Sequence, residues 1–229
     1  MSTRIHIMVW GILHELGRKI IHITILFVLG AYFLIKDYLI NSGYSTIIAK
    51  QVAMLFLVSL LILFLILEYV RLELGWKLPF FSQFIRPKEQ NRMYGVIYFL
   101  SATIICLAVF DPRIALTALL MTTFGDMTAA LVGKKYGTTL IYRNKTWAGF
   151  IGELIINTIV GFVILSGLFR SVFLIVGINL PDPISGGIYI ILGMAIIATV
   201  VETLVDELDD NLLIPIFSGF IGQVIVFSL

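Results

Sequence analysis

The chain has little charge and a single cysteine. Charged residues make up 13% of its 229 residues, against about 25% in an ordinary soluble domain, so a water-soluble fold is excluded. The single cysteine, Cys106, excludes an intrachain disulfide, and its apolar surroundings indicate a packing role. The sequence therefore gives no information on redox compartment.

Several enzyme motifs are also missing. The sequence contains no G-x-x-x-x-G-K-[ST], no H-E-x-x-H, no G-x-S-x-G and no Cys/His metal set. These absences exclude a P-loop nucleotide site, a zincin site and a hydrolase nucleophile elbow. No signal-peptide cleavage pattern follows the first apolar run, so we expect the first helix to stay in the membrane.

Long apolar runs dominate what is present. Hydrophobic residues make up 59% of the chain, and the mean hydropathy is +1.03. Runs long enough for membrane helices indicate an all-α, polytopic transmembrane helical bundle of about seven spans, with six or eight as alternatives, in one domain over 1–229. The runs lie at about 20–36, 47–67, 95–110, 114–132, 149–168, 187–204 and 211–229.

The basic residues predict the orientation. Under a seven-span arrangement, twelve of the 16 Lys and Arg residues fall on the N-terminal side and four on the other. Because basic residues favour the cytoplasm, the N-terminus is predicted to be cytoplasmic. Eleven of the 14 acidic residues fall on or near the same face. The predicted interfacial loop at about 71–93, rich in aromatic and basic residues, lies there too.

The segment from Gly125 to Lys145 is the strongest functional candidate. A carboxylate inside a membrane helix is costly, and Asp126 lies about two turns from the cytoplasmic end. The alternative to a functional role for Asp126 is a structural one, in which it forms a buried ion pair between helices. The loop at about 133–148 that follows is predicted to bind phosphates, because it combines glycines with cations and polar donors. Its members are Gly133, Lys134, Lys135, Gly137, Arg143, Asn144, Lys145 and Thr146.

Two further groups of polar residues fall on the same predicted face. Glu15, Arg18, Lys19 and His22 share one helix face by their spacing, although a simple positively charged anchor is the alternative. The acidic loop at about 205–211 offers oxygen ligands of the kind that Mg²⁺ prefers, with an acidic surface loop as the alternative. The candidates are the acidic residues Glu202, Asp206 and Asp210 and the amide Asn211, with Glu153 in the preceding span and Glu89 in the interfacial loop.

Taken in order, these blocks resemble the dolichol kinase and phytol kinase family of CTP-dependent lipid-alcohol kinases, which also includes CTP-dependent diacylglycerol kinases. The matching patterns are E-x-x-R-K-x-x-H from Glu15, G-D-x-x-A-x-x-x-G-x-x-x-G from Gly125, R-N-K-[ST]-x-x-G from Arg143, and E with D-D-N-x-x-x-P at Glu202 and Asp209–Pro215. A weaker block joins Glu89 to Gly95, Tyr98 and Phe99.

The resemblance implies transfer of the CTP γ-phosphate to the hydroxyl of a membrane isoprenoid alcohol, such as dolichol, phytol or geranylgeraniol. We expect Asp126 to bind Mg²⁺ (or Mn²⁺) or to accept the hydroxyl proton, and Glu202, Asp210 and Asn211 to complete the metal shell. The triphosphate would be neutralised by cations, with His22 also catalytic. Those cations are Arg18, Lys19, Lys134, Lys135, Arg143 and Lys145.

Three alternatives stay open. The first is a CTP-dependent diacylglycerol kinase, the second a CTP:phosphatidate cytidylyltransferase, and the third, from another class, a transporter of anionic substrates. The expected partners are a lipid alcohol, a nucleotide and the bilayer, with no nucleic acid. The expected location is the plasma membrane of a prokaryote, or the endoplasmic reticulum or plastid of a eukaryote, with the active site facing the cytoplasm.

Overall fold

A computed structural model describes residues 26–75, 93–167, 174, 187–205 and 209–229. Its architecture is an all-α helical bundle, and five of the helices are long and apolar enough to cross a membrane. The all-α polytopic prediction is confirmed. The helices in the described ranges are α1 (26–41), α2 (Thr46–Leu74), α3 (Gly95–Val109), α4 (Pro112–Tyr136), α5 (Trp147–Leu165), α6 (Gly187–Leu204) and α7 (Asp210–Ser228).

Each helix corresponds to one of the predicted apolar runs. The third run, predicted at about 95–110, forms α3, which has 15 residues, fewer than the roughly 20 that span a bilayer without thinning it. Part of the sequence interpretation lies outside the described residues: Glu15, Arg18, Lys19, His22, Glu89, Asp206, most of the 71–93 loop and the middle of the 205–211 loop.

The helix starts follow from local sequence. Asp111 precedes Pro112 and caps α4 by accepting a hydrogen bond from the Arg113 backbone N–H at 2.9 Å. Thr146 caps α5 and Asp209 caps α7 in the same manner. Short polar side chains are favoured at these positions because they satisfy backbone N–H groups that lack a partner within the helix.

Helix α4 lies at the centre of the bundle. Over its most apolar window 56% of the residues are buried, against 17% for α2 at the periphery. Small residues on the inner faces allow the helices to approach closely; examples are Ala115 and Ala118 on α4 and Ala195 and Ala198 on α6, all fully buried. The large side chains of α2 face outward instead, as expected for a helix in contact with lipid.

A short antiparallel hairpin connects α4 to α5, and the sequence did not predict it. Its strands are β1 (Leu140–Tyr142) and β2 (Lys145–Thr146), with Leu140 paired to Thr146 and Tyr142 to Lys145. Arg143 turns the chain with a positive φ of 45°. The hairpin lies within the loop predicted at 133–148.

Candidate active site

Lys145 and Glu202 form an ion pair between the hairpin and α6. The Lys145 Nζ donates a hydrogen bond to the Glu202 Oε1. The Glu202 side chain is 2% exposed and the Lys145 side chain 39% exposed, so the ammonium lies between the bundle interior and its surface. The short strand β2 fixes the direction in which Lys145 projects, and the last turn of α6 carries Glu202.

Carboxylates from three helices act on the Lys145 ammonium, Glu202 by direct contact and Asp210 and Asp126 by charge. Burial acts to lower the pKa of Lys145, but Glu202, Asp210 and Asp126 together raise it above its usual value of 10.5. The ammonium therefore stays charged throughout the physiological range. The structure thus brings Asp126, Lys145, Glu202 and Asp210 to the same end of the bundle, although they are distant in sequence, and their catalytic and metal-binding roles stay predictions.

The N-terminus of α7 holds two of the acidic residues in place. The Asn211 side-chain amide donates to the Asp209 Oδ1 at 2.7 Å and to the Asp210 Oδ1 at 3.2 Å. Asn211 is itself buried, with 6% of its surface exposed. The amide thus orients the carboxylates beside the site.

The polar site extends inward along α5. Glu153 is 2% exposed and lies within electrostatic range of Glu202, Lys145 and Asp126. The Asn157 Nδ2 donates to the Thr199 Oγ1 at 3.2 Å and lies 3.4 Å from the Glu153 Oε1. Sequence reasoning missed Asn157 and Thr199; a polar residue one helical turn after Glu153 was the available signal.

Glycines on α4 and α5 bring this polar chain together. A Cβ at Gly125 would lie 2.7 Å from the Asn157 Oδ1, so only glycine admits that side chain. A Cβ at Gly149 would lie 2.9 Å from the Ala129 carbonyl oxygen. The two helices can therefore approach closely where their site residues meet.

Gly133, Gly137 and Thr146 have structural contacts in the loop predicted to bind phosphates. A Cβ at Gly137 would lie 2.3 Å from the Gly133 carbonyl oxygen and 2.5 Å from the Thr146 Oγ1. The Thr146 hydroxyl accepts the Gly149 backbone N–H at 3.2 Å. These contacts explain the residues as packing and capping elements, and their role toward phosphate stays a prediction.

The remaining polar residues of the loop lie on its exposed surface. Lys134, Lys135, Arg143 and Asn144 are all exposed. The Lys135 Nζ lies 5.0 Å from the Tyr136 ring centroid, and the Arg143 guanidinium 5.4 Å from that of Tyr142. The structure thus places all four at the same end of the bundle as Lys145, and the cationic groups of Lys134, Lys135 and Arg143 lie at the surface.

Comparison with known proteins gives the family. The chain is 30% identical to a CTP-dependent diacylglycerol kinase 1 of Schizosaccharomyces pombe, over 96% of this chain and 97% of the relative. It is 31% identical to the Saccharomyces cerevisiae protein of the same description and 29% identical to that of Eremothecium gossypii, over 64% of this chain in both and 49% and 44% of those relatives. The chain belongs to the CTP-dependent diacylglycerol kinase family.

Membership makes this chain a phosphotransferase with an alcohol acceptor and supports CTP as the donor. The predicted resemblance is confirmed for CTP-dependent lipid kinases in general. Its narrower assignment to dolichol and phytol kinases has no specific support, because all three relatives carry the diacylglycerol description. No protein-family model matches the chain, and no solved structure matches it.

The oxygen donors of this candidate site are of a kind that suits a hard cation, but they do not form a preformed metal cage. Within the described ranges, no three His, Cys, Asp or Glu side chains are grouped so as to hold a metal by themselves. The Glu202 Oε2 is buried and has no hydrogen-bond partner among the residues that the structure describes, and a carboxylate oxygen of this kind suits a hard cation. Mg²⁺ is usually held by one or two carboxylates together with substrate phosphates, which this site could provide.

An apolar cavity of about 360 Å³ lies between α1, α4 and α5 of the kinase. Of its lining residues on α4, Phe124 is the nearest in sequence to Asp126, which lies about 3 Å further along the helix axis and on a different face of the helix. The exposed side chain of Ile159 lies at its edge. The lining residues are Leu26, Leu29, Gly30, Phe33, Leu116, Leu120, Phe124, Ile159, Val160, Val163 and Ile164.

Proposed function

We propose that the protein is a CTP-dependent diacylglycerol kinase, which transfers the γ-phosphate of CTP to the free hydroxyl of diacylglycerol. The products are phosphatidate and CDP. The observation that carries the proposal is the convergence of Lys145 with Asp126, Glu202 and Asp210 at one end of a membrane bundle. The relatives' description favours diacylglycerol over the isoprenoid alcohol that the sequence motifs implied.

Charge explains what the site does in this reaction. The transferred group carries negative charge that spreads over its equatorial oxygens, so positioning and neutralisation supply most of the catalysis. We assign the Lys145 ammonium to an oxygen of the γ-phosphate, where it can exchange part of its contact with Glu202 for the substrate. The exposed Lys134, Lys135 and Arg143 would neutralise the rest of the triphosphate.

Asp126 is assigned to the acceptor. The hydroxyl oxygen attacks the γ-phosphorus, the bond from that phosphorus to the bridging oxygen breaks, and CDP leaves with the electron pair. Asp126 accepts the hydroxyl proton. Glu202 and Asp210 would hold Mg²⁺, which when bound neutralises charge on the phosphate oxygens. Asn211 orients Asp210 rather than serving as a ligand itself.

The apolar cavity supports a lipid acceptor. An apolar cavity of roughly 150 Å³ binds benzene, so about 360 Å³ gives room for about a dozen chain carbons by that measure. One acyl chain lying there would bring its hydroxyl-bearing end to the turn of α4 that carries Asp126. The exposed Ile159 edge offers a lateral entrance from the bilayer.

The test is a matrix of donors and acceptors with purified protein in mixed micelles. CTP, UTP and ATP, each labelled in the γ-phosphate, are offered with diacylglycerol, dolichol, phytol or geranylgeraniol. We expect labelled phosphatidate and free CDP from the pair of CTP and diacylglycerol. Pyrophosphate release with phosphatidate as acceptor would identify a cytidylyltransferase instead, and faster labelling of an isoprenoid alcohol would overturn the acceptor assignment.

The Asp126 role is tested in the same assay. Asp126→Asn removes the charge and the proton acceptor while keeping the shape, so we expect kcat to fall by about 10²–10⁴-fold. Asp37→Asn is the matched control, because Asp37 pairs with Lys36 at 3.1 Å near the opposite end of the bundle. Wild-type turnover by Asp126→Asn would remove Asp126 from the mechanism.

A further inference from the structure

Glu68 is a buried carboxylate that the sequence motifs did not identify. It lies near the end of α2 and is 4% exposed. Its two oxygens receive the Arg71 guanidinium in a bidentate pair, from Nε to Oε2 at 2.8 Å and from NH2 to Oε1 at 2.6 Å. Taking two charges out of water costs free energy that their mutual attraction does not always repay. A gain in stability is therefore not a sufficient explanation for this pair.

The pair reaches across to α3. The Tyr94 backbone N–H donates to the Glu68 Oε1 at 2.9 Å, and the Arg71 guanidinium lies 4.1 Å from the centroid of the Tyr94 ring. Tyr94 precedes α3 and provides no side-chain cap of its own. Glu68 therefore caps α3 from another helix, which fixes where that helix begins.

The beginning of α3 is the surface on which Asn211 rests. A Cβ at Gly95 would lie 2.9 Å from the Asn211 Nδ2 and 3.9 Å from the Asp209 Oδ2. The same Asn211 amide orients Asp210, which in turn acts on the Lys145 ammonium. Contacts thus join Glu68 to Asp210 through α3 and α7, and the last step, from Asp210 to the Lys145 ammonium, is electrostatic.

We propose that Glu68 is a positioning residue for phosphoryl transfer. Through the Tyr94 backbone and Gly95, it sets the position of Asn211 and hence of Asp210 relative to Lys145. Glu68 itself touches neither substrate nor metal in this role. The proposal rests on the proposed function, because it assigns Asp210 to the site of the reaction.

A double-mutant cycle on kcat tests the proposal. Glu68→Gln keeps the shape and an acceptor oxygen but removes the charge that holds Arg71. We expect Glu68→Gln to lower kcat about tenfold in the wild-type chain and less than about threefold in an Asn211→Ala chain, because residues that act in series are not additive. Glu73→Gln is the control, since Glu73 is exposed on the same end of α2.

Equal losses in both backgrounds, or an unchanged kcat in Glu68→Gln, would overturn the proposal. Should Glu68→Gln not fold, Arg71→Lys takes its place in the cycle, because lysine keeps the charge but loses the bidentate fork. Equal losses of kcat in both backgrounds, or an unchanged kcat, would then overturn the proposal for Arg71→Lys in the same way. If the wild type transfers no phosphate at all, the proposed function fails; if it does and the cycle is additive, only the role of Glu68 fails.

Discussion

Lys145 has the most specific environment of the site residues, since it approaches a buried carboxylate from a partly exposed hairpin. Removing one member of such a pair leaves the other buried without a counter-charge. We expect Lys145→Met to destabilise the protein by about 1–3 kcal/mol and to lower kcat by about 10²-fold or more. Thermal unfolding in detergent and the phosphotransfer assay measure the two effects.

The double variant Lys145→Met with Glu202→Gln separates stability from catalysis. It removes both charges, so most of the lost stability should return while the activity stays low. A double variant that recovers kcat along with its unfolding temperature would show that phosphoryl transfer needs neither the Lys145 ammonium nor the Glu202 carboxylate, and would remove both from the mechanism.

The raised pKa of Lys145 gives a pH dependence with a defined sign. Its contribution to stability is fully present below the unfolded-state value of 10.5 and is lost as the pH rises through the higher folded-state value. We therefore expect the unfolding temperature to fall above pH 10.5. The unfolding temperature of the Lys145→Arg variant should fall less above pH 10.5, because arginine stays charged. Identical alkaline profiles for the two proteins would contradict the assignment.

The contact between α4 and α5 depends on Gly149. An added Cβ would meet the Ala129 backbone oxygen at 2.9 Å, and a backbone atom cannot rotate away as a side chain would. We expect Gly149→Ala to push the helices apart near Lys145, with a cost of about 1–3 kcal/mol and an at least tenfold lower kcat. Gly187→Ala is the control, because no atom of the described residues lies within 4 Å of its added Cβ. Similar effects of both changes would refute the close-approach argument.

The cavity between α1, α4 and α5 predicts a dependence on acceptor chain length. Leu120→Trp would fill part of it, and we expect the KM for a long-chain diacylglycerol to rise about tenfold, equivalent to about 1.4 kcal/mol. A short-chain diacylglycerol should be phosphorylated as by the wild type. Ile155→Trp is the control, since Ile155 is 56% exposed on α5. An equal loss with both acceptors would show that the chain does not lie in this cavity.

The helices could be predicted from sequence because each is a long apolar run, and the caps because Asp, Ser and Thr stand where the runs begin. The hairpin between α4 and α5 was missed because strands of three and two residues leave no periodic pattern. Its consequence is large, since it turns Lys145 toward Glu202.

The face on which the site forms could also be predicted, because the order of spans places Asp126, Lys145, Glu202 and Asp210 at the same end. The pairing of particular side chains within that face could not be predicted. Lys145 and Glu202 are 57 residues apart, and their pairing depends on how the hairpin and α6 pack. Glu68 escaped notice for the same reason: its acceptor role toward Tyr94 spans 26 residues and belongs to no local motif.

The orientation of the bundle in the membrane is the broadest prediction. The hairpin should face the cytoplasm, and the turn between α1 and α2 should face the opposite side, because basic residues concentrate at the hairpin end. Cys106 is buried and is the only cysteine, so Cys106→Ala provides a background for single cysteines at exposed Thr138 and Ser42. A membrane-impermeant maleimide added to intact bacterial cells that express these variants in the plasma membrane should label Ser42→Cys at once and Thr138→Cys only after permeabilisation. The reverse pattern would place the site outside the cytoplasm, away from its supply of CTP, and would overturn both the orientation and the donor assignment.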